Sequence, residues 1–348
     1  MINFIYVQHI DSRWITQRPH FLARALLQLA PPGTKLSFFD LRSFRRSQLM
    51  VNRFNLGSAE YRDLFGLPTN FSRIFGYFEF AVLFLQAIRF RFQSADYILL
   101  THPRLYPLVF FARKPKVIYD CMDDAVAMSR YPKLTKWLEK RLIERSNLTL
   151  VTSSHLRSSL KDKYNCSAVL IPNAPSPTFM VEDYPVKKRN VGIFFGSIGH
   201  WIDFDLIRKF LTVSGWDLEI YGPIHTDFPS DLRPFHHGVK SQEYILERAR
   251  IARVALLPFE LSEFTKSIDP VKFYEYVSLH LPIIASPLES ISKFSDFFVP
   301  WTSTSDIQAV LAKANQIYPN KDSSRLNFLQ ENNWQARARV LYIEIGRI

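Results

Sequence analysis

At 348 residues the chain exceeds what one hydrophobic core usually fills, which predicts two domains. Its two cysteines exclude a disulfide framework or a Cys-rich metal scaffold and fit a reducing compartment, while 47% hydrophobic residues suffice for buried cores. The net charge of +12 is uneven: residues 1–178 hold 25 Lys+Arg against 12 Asp+Glu, residues 179–348 hold 19 against 20, and such a field attracts nucleic acid or an anionic membrane leaflet.

The amino terminus, MINFIYVQHIDSRW, has no basic leader and only a short apolar run, so a first strand over 2–10 is expected rather than a signal peptide. A helix over 18–30 and a strand over 34–42 follow. The apolar stretch 75–92 is interrupted by Glu79 and closed by Arg89 and Arg91; it is too short to span a bilayer and predicts a buried helix, with a membrane-surface helix as the alternative. Strands at 95–103, 116–122, 148–154 and 168–173 alternate with helices at 133–146 and 154–164, the pattern of a parallel sheet covered on both faces. Residues 174–190, rich in Pro and charge, read as a linker. The second half restarts with strands at 190–199, 216–224, a short one at 235–239, 253–260 and 282–287. Helices are expected at 203–214, at 241–251 with Ser241 as cap, and over 322–348. The fold class is α/β: two Rossmann-like domains facing each other across a cleft, at 1–178 and 179–330, with a C-terminal helix at 331–348 packing back toward the first.

Ligands of open parallel sheets bind beyond the carboxyl ends of the strands, so the residues there are the candidates. The loop FGSIGHWID offers Gly196, Gly199 and His200, and the helix after it offers free N–H groups to a phosphate. In SIDPVKFYEYVSLHLPIIAS, Lys272 falls in the first turn of a short helix, where its charge opposes the helix dipole, and Glu275 lies on the same face. Such a pair ordinarily decorates a solvated helix and contributes about 0.2–0.5 kcal/mol. Here, between a long loop and a buried strand, a cation for a diphosphate and a carboxylate for two ribose hydroxyls would suit a nucleoside diphosphate. In the first half, the strand KVIYDCMDD ends in Asp120, Asp123 and Asp124. These are candidates for a general base or a sugar-hydroxyl ligand, although helix capping explains one of them. His9, Asp11, Arg18 and His20 follow the first strand as possible substrate ligands; His20 is as readily a structural helix residue.

With these pieces the chain resembles the GT-B glycosyltransferases of the family 4 type, especially those of bacterial exopolysaccharide and cell-wall polymer synthesis. The likeness rests on WITQRPHFLARAL, YDCMDD, FGSIGHWIDFDLI and SIDPVKFYEYVSLHLPIIAS, with NNWQARARVLYIEI resembling the family's final helix. It implies a nucleotide-sugar donor in the second domain and an acceptor in the first, with Lys272 at the donor phosphates, Glu275 at the ribose and the Gly199 loop near the pyrophosphate. Two departures stand out. Many members carry a Glu eight residues before the second, where this chain has Ser267, with Glu263 and Asp269 nearby but out of register. A basic pair after IYGPI is also not evident.

The expected activity is hexosyl transfer from a nucleoside-diphosphate sugar to a glycan or lipid-linked acceptor, with catalytic roles for Lys272 and, in an inverting reaction, Asp120, Asp123 or Asp124. Ser267 and Asp269 would help bind substrate. No metal, no further cofactor and no nucleic-acid partner is expected. The basic half would rest on an anionic membrane surface, giving a cytoplasmic protein peripheral to the inner face of the cell membrane. A sugar-nucleotide epimerase or phosphorylase, or a degenerate polymer-binding protein, are the alternatives.

Overall fold

The computed structural model describes residues 2–10, 16–42, 53–67, 73–90, 92–180, 189–317 and 322–348. Asp11, Arg91 and residues 181–188 of the expected linker lie outside the described residues. The chain forms two compact units, Met1–Pro172 with Trp334–Ile348, and Asn173–Asn333.

The first unit runs β1 (Asn3–Gln8), α1 (Arg18–Leu29), β2 (Lys35–Arg42), β3 (Glu60–Phe65), α2 (Arg73–Arg89), β4 (Tyr97–Leu100), β5 (Lys116–Cys121), α3 (Pro132–Arg145), β6 (Leu148–Val151), α4 (Ser154–Tyr164) and β7 (Ala168–Leu170). The strands pair in parallel in the order β3-β2-β1-β4-β5-β6-β7. Chain direction across the sheet therefore reverses between β1 and β4, the position where such sheets open a crevice. Runs such as Tyr97–Leu100 and Leu148–Val151 are largely apolar and buried because helices cover both faces.

The second unit runs β8 (Val191–Phe195), α5 (Phe204–Ser214), β9 (Asp217–Tyr221), α6 (Gln242–Ile251), β10 (Val254–Leu257), α7 (Glu263–Lys266), α8 (Val271–Ser278), β11 (Ile283–Ala285), β12 (Phe298–Pro300), α9 (Ile307–Ile317) and α10 (Asp322–Glu331). Its parallel sheet has the order β12-β11-β10-β8-β9, with the reversal between β8 and β10. Asp203 caps α5 through the Leu206 N–H at 3.0 Å, and Ser241 caps α6 through the Tyr244 N–H at 3.2 Å. The chain then returns to the first unit as α11 (Trp334–Ile345), which packs on α1 with Trp334 stacked against Phe21 at 5.5 Å.

The structure differs from the sequence expectation at several places. Residues 235–239 are not a strand: they follow a 3₁₀ turn (Ser230–Phe235), and one bridge joins His236 to Ile220. The described start of the expected linker belongs to the second unit, where Phe179 is buried against Phe195 and the Ser176 hydroxyl meets Gln242 at 3.2 Å. The boundary accordingly falls at 172/173, not 178/179. The expected terminal helix is two helices, broken at Asn332–Asn333, and the unit boundary lies in that break.

Candidate active site

In the second unit, the loop after β8 and the loop after β10 are stitched together at the reversal point. The Asp203 N–H donates to the Pro258 carbonyl at 2.9 Å, and the Glu260 N–H to the Trp201 carbonyl at 2.8 Å. α8 docks on the end of β8: the Tyr276 hydroxyl accepts from the Phe195 N–H at 3.3 Å, and the two rings meet edge to face at 5.0 Å. This docking aims Lys272 across the carboxyl end of β8. Its ammonium donates to Glu275 at 2.7 Å and stands 5.0 Å from the Phe195 ring centroid. Its stem lies over Gly196, where a Cβ would come within 3.2 Å of the lysine Cε. The Glu275 side chain is 3% exposed and that of Lys272 28%. Lys272, Glu275 and Gly196 thus form one constellation at the crevice position of the sheet.

The backbone under that constellation requires glycine twice. Gly196 has φ +149 and Gly222, at the end of neighbouring β9, has φ +135. A Cβ on Gly222 would fall 1.9 Å from the Gly196 carbonyl oxygen. YGPI therefore brings Gly222 against the Gly196 loop, a role the sequence shows only as a turn. Gly222→Ala is expected to cost ~3 kcal/mol or more, because backbone must move; urea denaturation measures it, and a shift below about 0.5 kcal/mol would contradict the close approach.

Other residues expected here do different work. Gly199 makes room for the Trp201 ring, which a Cβ would meet at 2.3 Å. His200 is exposed and rests on Phe264 at 5.0 Å. Ser267, at the position of the family's first Glu, is buried with its hydroxyl donating to the Phe264 carbonyl at 2.6 Å. Asp269 accepts from the Asn173 N–H at 2.5 Å and the Tyr274 hydroxyl at 2.9 Å, anchoring the start of the second unit to the foot of α8. These bonds make it a structural carboxylate where a substrate ligand was expected.

In the first unit, the three acids after β5 separate. Asp120 is fully buried and paired with Arg18 at 2.9 Å, and it accepts the Tyr6 hydroxyl at 3.0 Å. Arg18 also donates to the carbonyls of Ile171 at 2.8 Å and Pro172 at 3.2 Å. Both residues are tied into the fold, and the expectation of a base at Asp120 and a substrate ligand at Arg18 is corrected accordingly. Asp124 caps the following turn through the N–H groups of Val126 and Ala127. Asp123 is exposed. His20 is a core histidine: its Nδ1 accepts from the Gln17 N–H at 3.2 Å, its ring stacks on Phe38, and burial lowers its pKa to about 4.

His9 alone of the first-unit histidines named from the sequence reaches the crevice position. Its ring Nδ1 lies 3.0 Å from the Thr101 hydroxyl and its centroid 4.6 Å from that of His102, which follows β4. Burial, with Arg104 nearby, lowers the His9 pKa to about 3, and burial, His9 and Arg104 hold His102 well below its ordinary value. Both rings are neutral near pH 7 and can accept or donate a hydrogen bond without bringing charge. Thr101, His102 and Arg104 were missed in the sequence; the only signal was THPR after a strand. Among the described residues, no group of three or more His, Cys, Asp or Glu is placed to hold a metal, and no helix is long and apolar enough to cross a membrane.

No protein-family model matches the chain, and no curated protein matches it by sequence. Solved structures do match along their whole length. The lipopolysaccharide outer core galactosyltransferase WaaB, in its apo form, aligns at TM-score 0.62 and 12% identity over 99% of both chains. Sucrose-phosphate synthase from Thermosynechococcus elongatus aligns at TM-score 0.69 and 14% identity, covering 99% of this chain and 98% of that one. A UDP-forming alpha,alpha-trehalose-phosphate synthase from Burkholderia xenovorans, in complex with glucose-6-phosphate, aligns at TM-score 0.65 and 11% identity over 99% of this chain and 100% of that one. Two Rossmann-like units in one chain, with a final helix returning to the first, give this protein the GT-B fold of those enzymes.

Proposed function

We propose that the protein transfers a sugar, of the hexosyl class, from a nucleoside-diphosphate donor held by the second unit. The observation that carries this reading is the Lys272–Glu275 pair laid over the Gly196 backbone at the reversal point of a parallel sheet. An ammonium there can neutralise the charge that grows on a departing diphosphate, in a setting where fixed charge acts more strongly than in water. Glu275 supplies carboxylate oxygens for ribose hydroxyls, and Gly196 lets the ligand approach the main chain. Neighbours that share the fold have names describing a galactosyltransferase and a UDP-forming synthase, which agrees with this donor class.

On the acceptor side, the neutral His9 and His102 rings and the exposed Asp123 are proposed to meet sugar hydroxyls. In an inverting reaction Asp123, which is exposed just past the end of β5, is the proposed base. The donor diphosphate is held by Lys272 and backbone, without a metal. The acceptor is a glycan or a lipid-linked saccharide presented at the anionic inner leaflet of the cell membrane. The charge of the first unit supports this: by structural bounds it holds 28 Lys+Arg against 13 Asp+Glu.

A thermal-shift panel of nucleoside diphosphates and their sugars tests the donor site. At a hundredfold excess over Kd, the cognate nucleotide is expected to add ~2.7 kcal/mol, raising Tm by about 2–4 °C. No shift from any member of the panel would defeat the assignment.

A further inference from the structure

Helix α2 is built inside out. Two of its polar residues face the protein: Glu79 pairs with Arg104, and the Gln86 amide clamps the Phe65 main chain, accepting from its N–H at 2.7 Å and donating to its carbonyl at 2.8 Å. Its outer stripe, Phe78, Ala81, Leu85 and Ile88, is apolar and exposed, with Leu85 and Ile88 each 64% accessible. A helix lying against water shows the opposite pattern.

The stripe does not stand alone. Phe84 on its flank contacts Phe111 at 5.1 Å, Phe111 packs on Phe110 at 4.6 Å, and Tyr106 links Phe110 to Trp137 of α3. Phe110, Phe111 and Trp137 are themselves exposed. Cations rim this surface: Arg89 ends the stripe, Arg113 and Lys114 follow Phe111, and Lys133, Lys136 and Lys140 surround Trp137 on α3. A cavity of about 690 Å³ opens between α2 and α3, with Phe80 and Trp137 beside Arg130 and Lys133 in its lining, and with His102 and the Glu79–Arg104 pair also lining it.

An apolar stripe, an interfacial tryptophan and a basic rim are the three features that a bilayer surface rewards, through buried apolar area and through attraction of each cation to anionic headgroups. A second copy of this chain would bring two like-charged rims together, which opposes self-association. We propose that the α2–Phe111–α3 face docks on an anionic bilayer leaflet, with α2 lying in the interface and the cavity receiving the phosphate-bearing head of one leaflet lipid. This rests on the leaflet part of the proposed function and names the face that serves it.

Flotation with phosphatidylcholine vesicles, with and without phosphatidylglycerol, tests it on the full chain. The unmodified protein is expected to float with the anionic vesicles and far less with the neutral ones. The triple variant Leu85→Asn, Ile88→Asn, Phe111→Asn is expected to bind more than about tenfold more weakly, with unchanged melting temperature and unchanged nucleotide shift. The pair Arg130→Glu and Lys133→Glu is expected to weaken the preference for anionic vesicles more than the reversal of two rim cations outside the cavity, Arg113→Glu with Lys114→Glu. If the unmodified protein fails to float, the leaflet reading itself is wrong. If it floats and the triple variant floats equally, the leaflet reading stands and this face is wrong. If the cavity pair weakens the preference no more than the rim pair does, the cavity is not a headgroup site. A concentration-dependent dimer that the triple variant dissolves would make a second copy the occupant and overturn the proposal.

Discussion

Lys272→Ala is expected to lower sugar transfer by roughly 10²–10³-fold, the size seen when one preorganised charge-stabilising group is removed from a transition state. The variant also strips a nearly buried carboxylate of its cation, since Glu275 is 3% exposed and Lys272 is its partner at 2.7 Å. Some loss of stability follows from that alone, so a fall in activity by itself does not separate a role at the diphosphate from one inside the protein. The double variant Lys272→Met, Glu275→Gln does, when it is compared with Glu275→Gln alone, which carries the same change at the ribose. Neutralising both members relieves the unpaired carboxylate and should return most of the lost stability. If Lys272 acts on the diphosphate, transfer stays low in the double variant and the thermal shift given by nucleoside diphosphates stays small. If Lys272 serves only as the partner of Glu275, transfer recovers with stability. Near-normal turnover of Lys272→Ala would remove the role outright.

Much of this constellation was legible in the sequence because it is local. Lys272 and Glu275 are three residues apart, Pro270 precedes their helix, and a buried strand follows. The alternation of apolar strands with amphipathic helices likewise gave the architecture. What stayed hidden depends on which strands become neighbours. His9 meets His102 only because β1 and β4 pair across the sheet reversal, and Gly222 meets Gly196 only because β9 pairs with β8. β3 was missed because EYRDLF lacks a run of apolar residues; it is an edge strand, half in water. β12 is three residues long, too short for any periodicity. The acids of YDCMDD look alike in a row, yet Asp120 still lies in β5, a central strand buried on both faces, while Asp123 and Asp124 lie past the strand's end. The stretch 75–92 was ambiguous between a buried and a surface helix because its polar residues could point either way; only the partners of Glu79 and Gln86 settle that they point in.

The same burial makes Asp120 a residue whose substitution should strongly damage the fold. Its carboxylate is fully buried and is held by Arg18 and the Tyr6 hydroxyl; Arg18 in turn holds the carbonyls of Ile171 and Pro172, where the chain leaves the first unit. One cluster therefore joins the start of α1, the end of β5 and the unit boundary. Asp120→Asn keeps the shape but leaves the guanidinium buried without its counter-charge, at an expected cost of about 3–5 kcal/mol. In chemical denaturation this appears as a lower midpoint at unchanged slope. Asp123→Asn, on an exposed residue, should stay within about 0.5 kcal/mol. Replacing both partners, Arg18→Met with Asp120→Leu, removes the stranded charge and should restore part of the loss. The opposite pattern would identify Asp120 as the catalytic base after all: unchanged stability in Asp120→Asn with transfer abolished per folded molecule. A buried ion pair predicts that stability fails first, and that whatever fraction of the variant remains folded still transfers sugar.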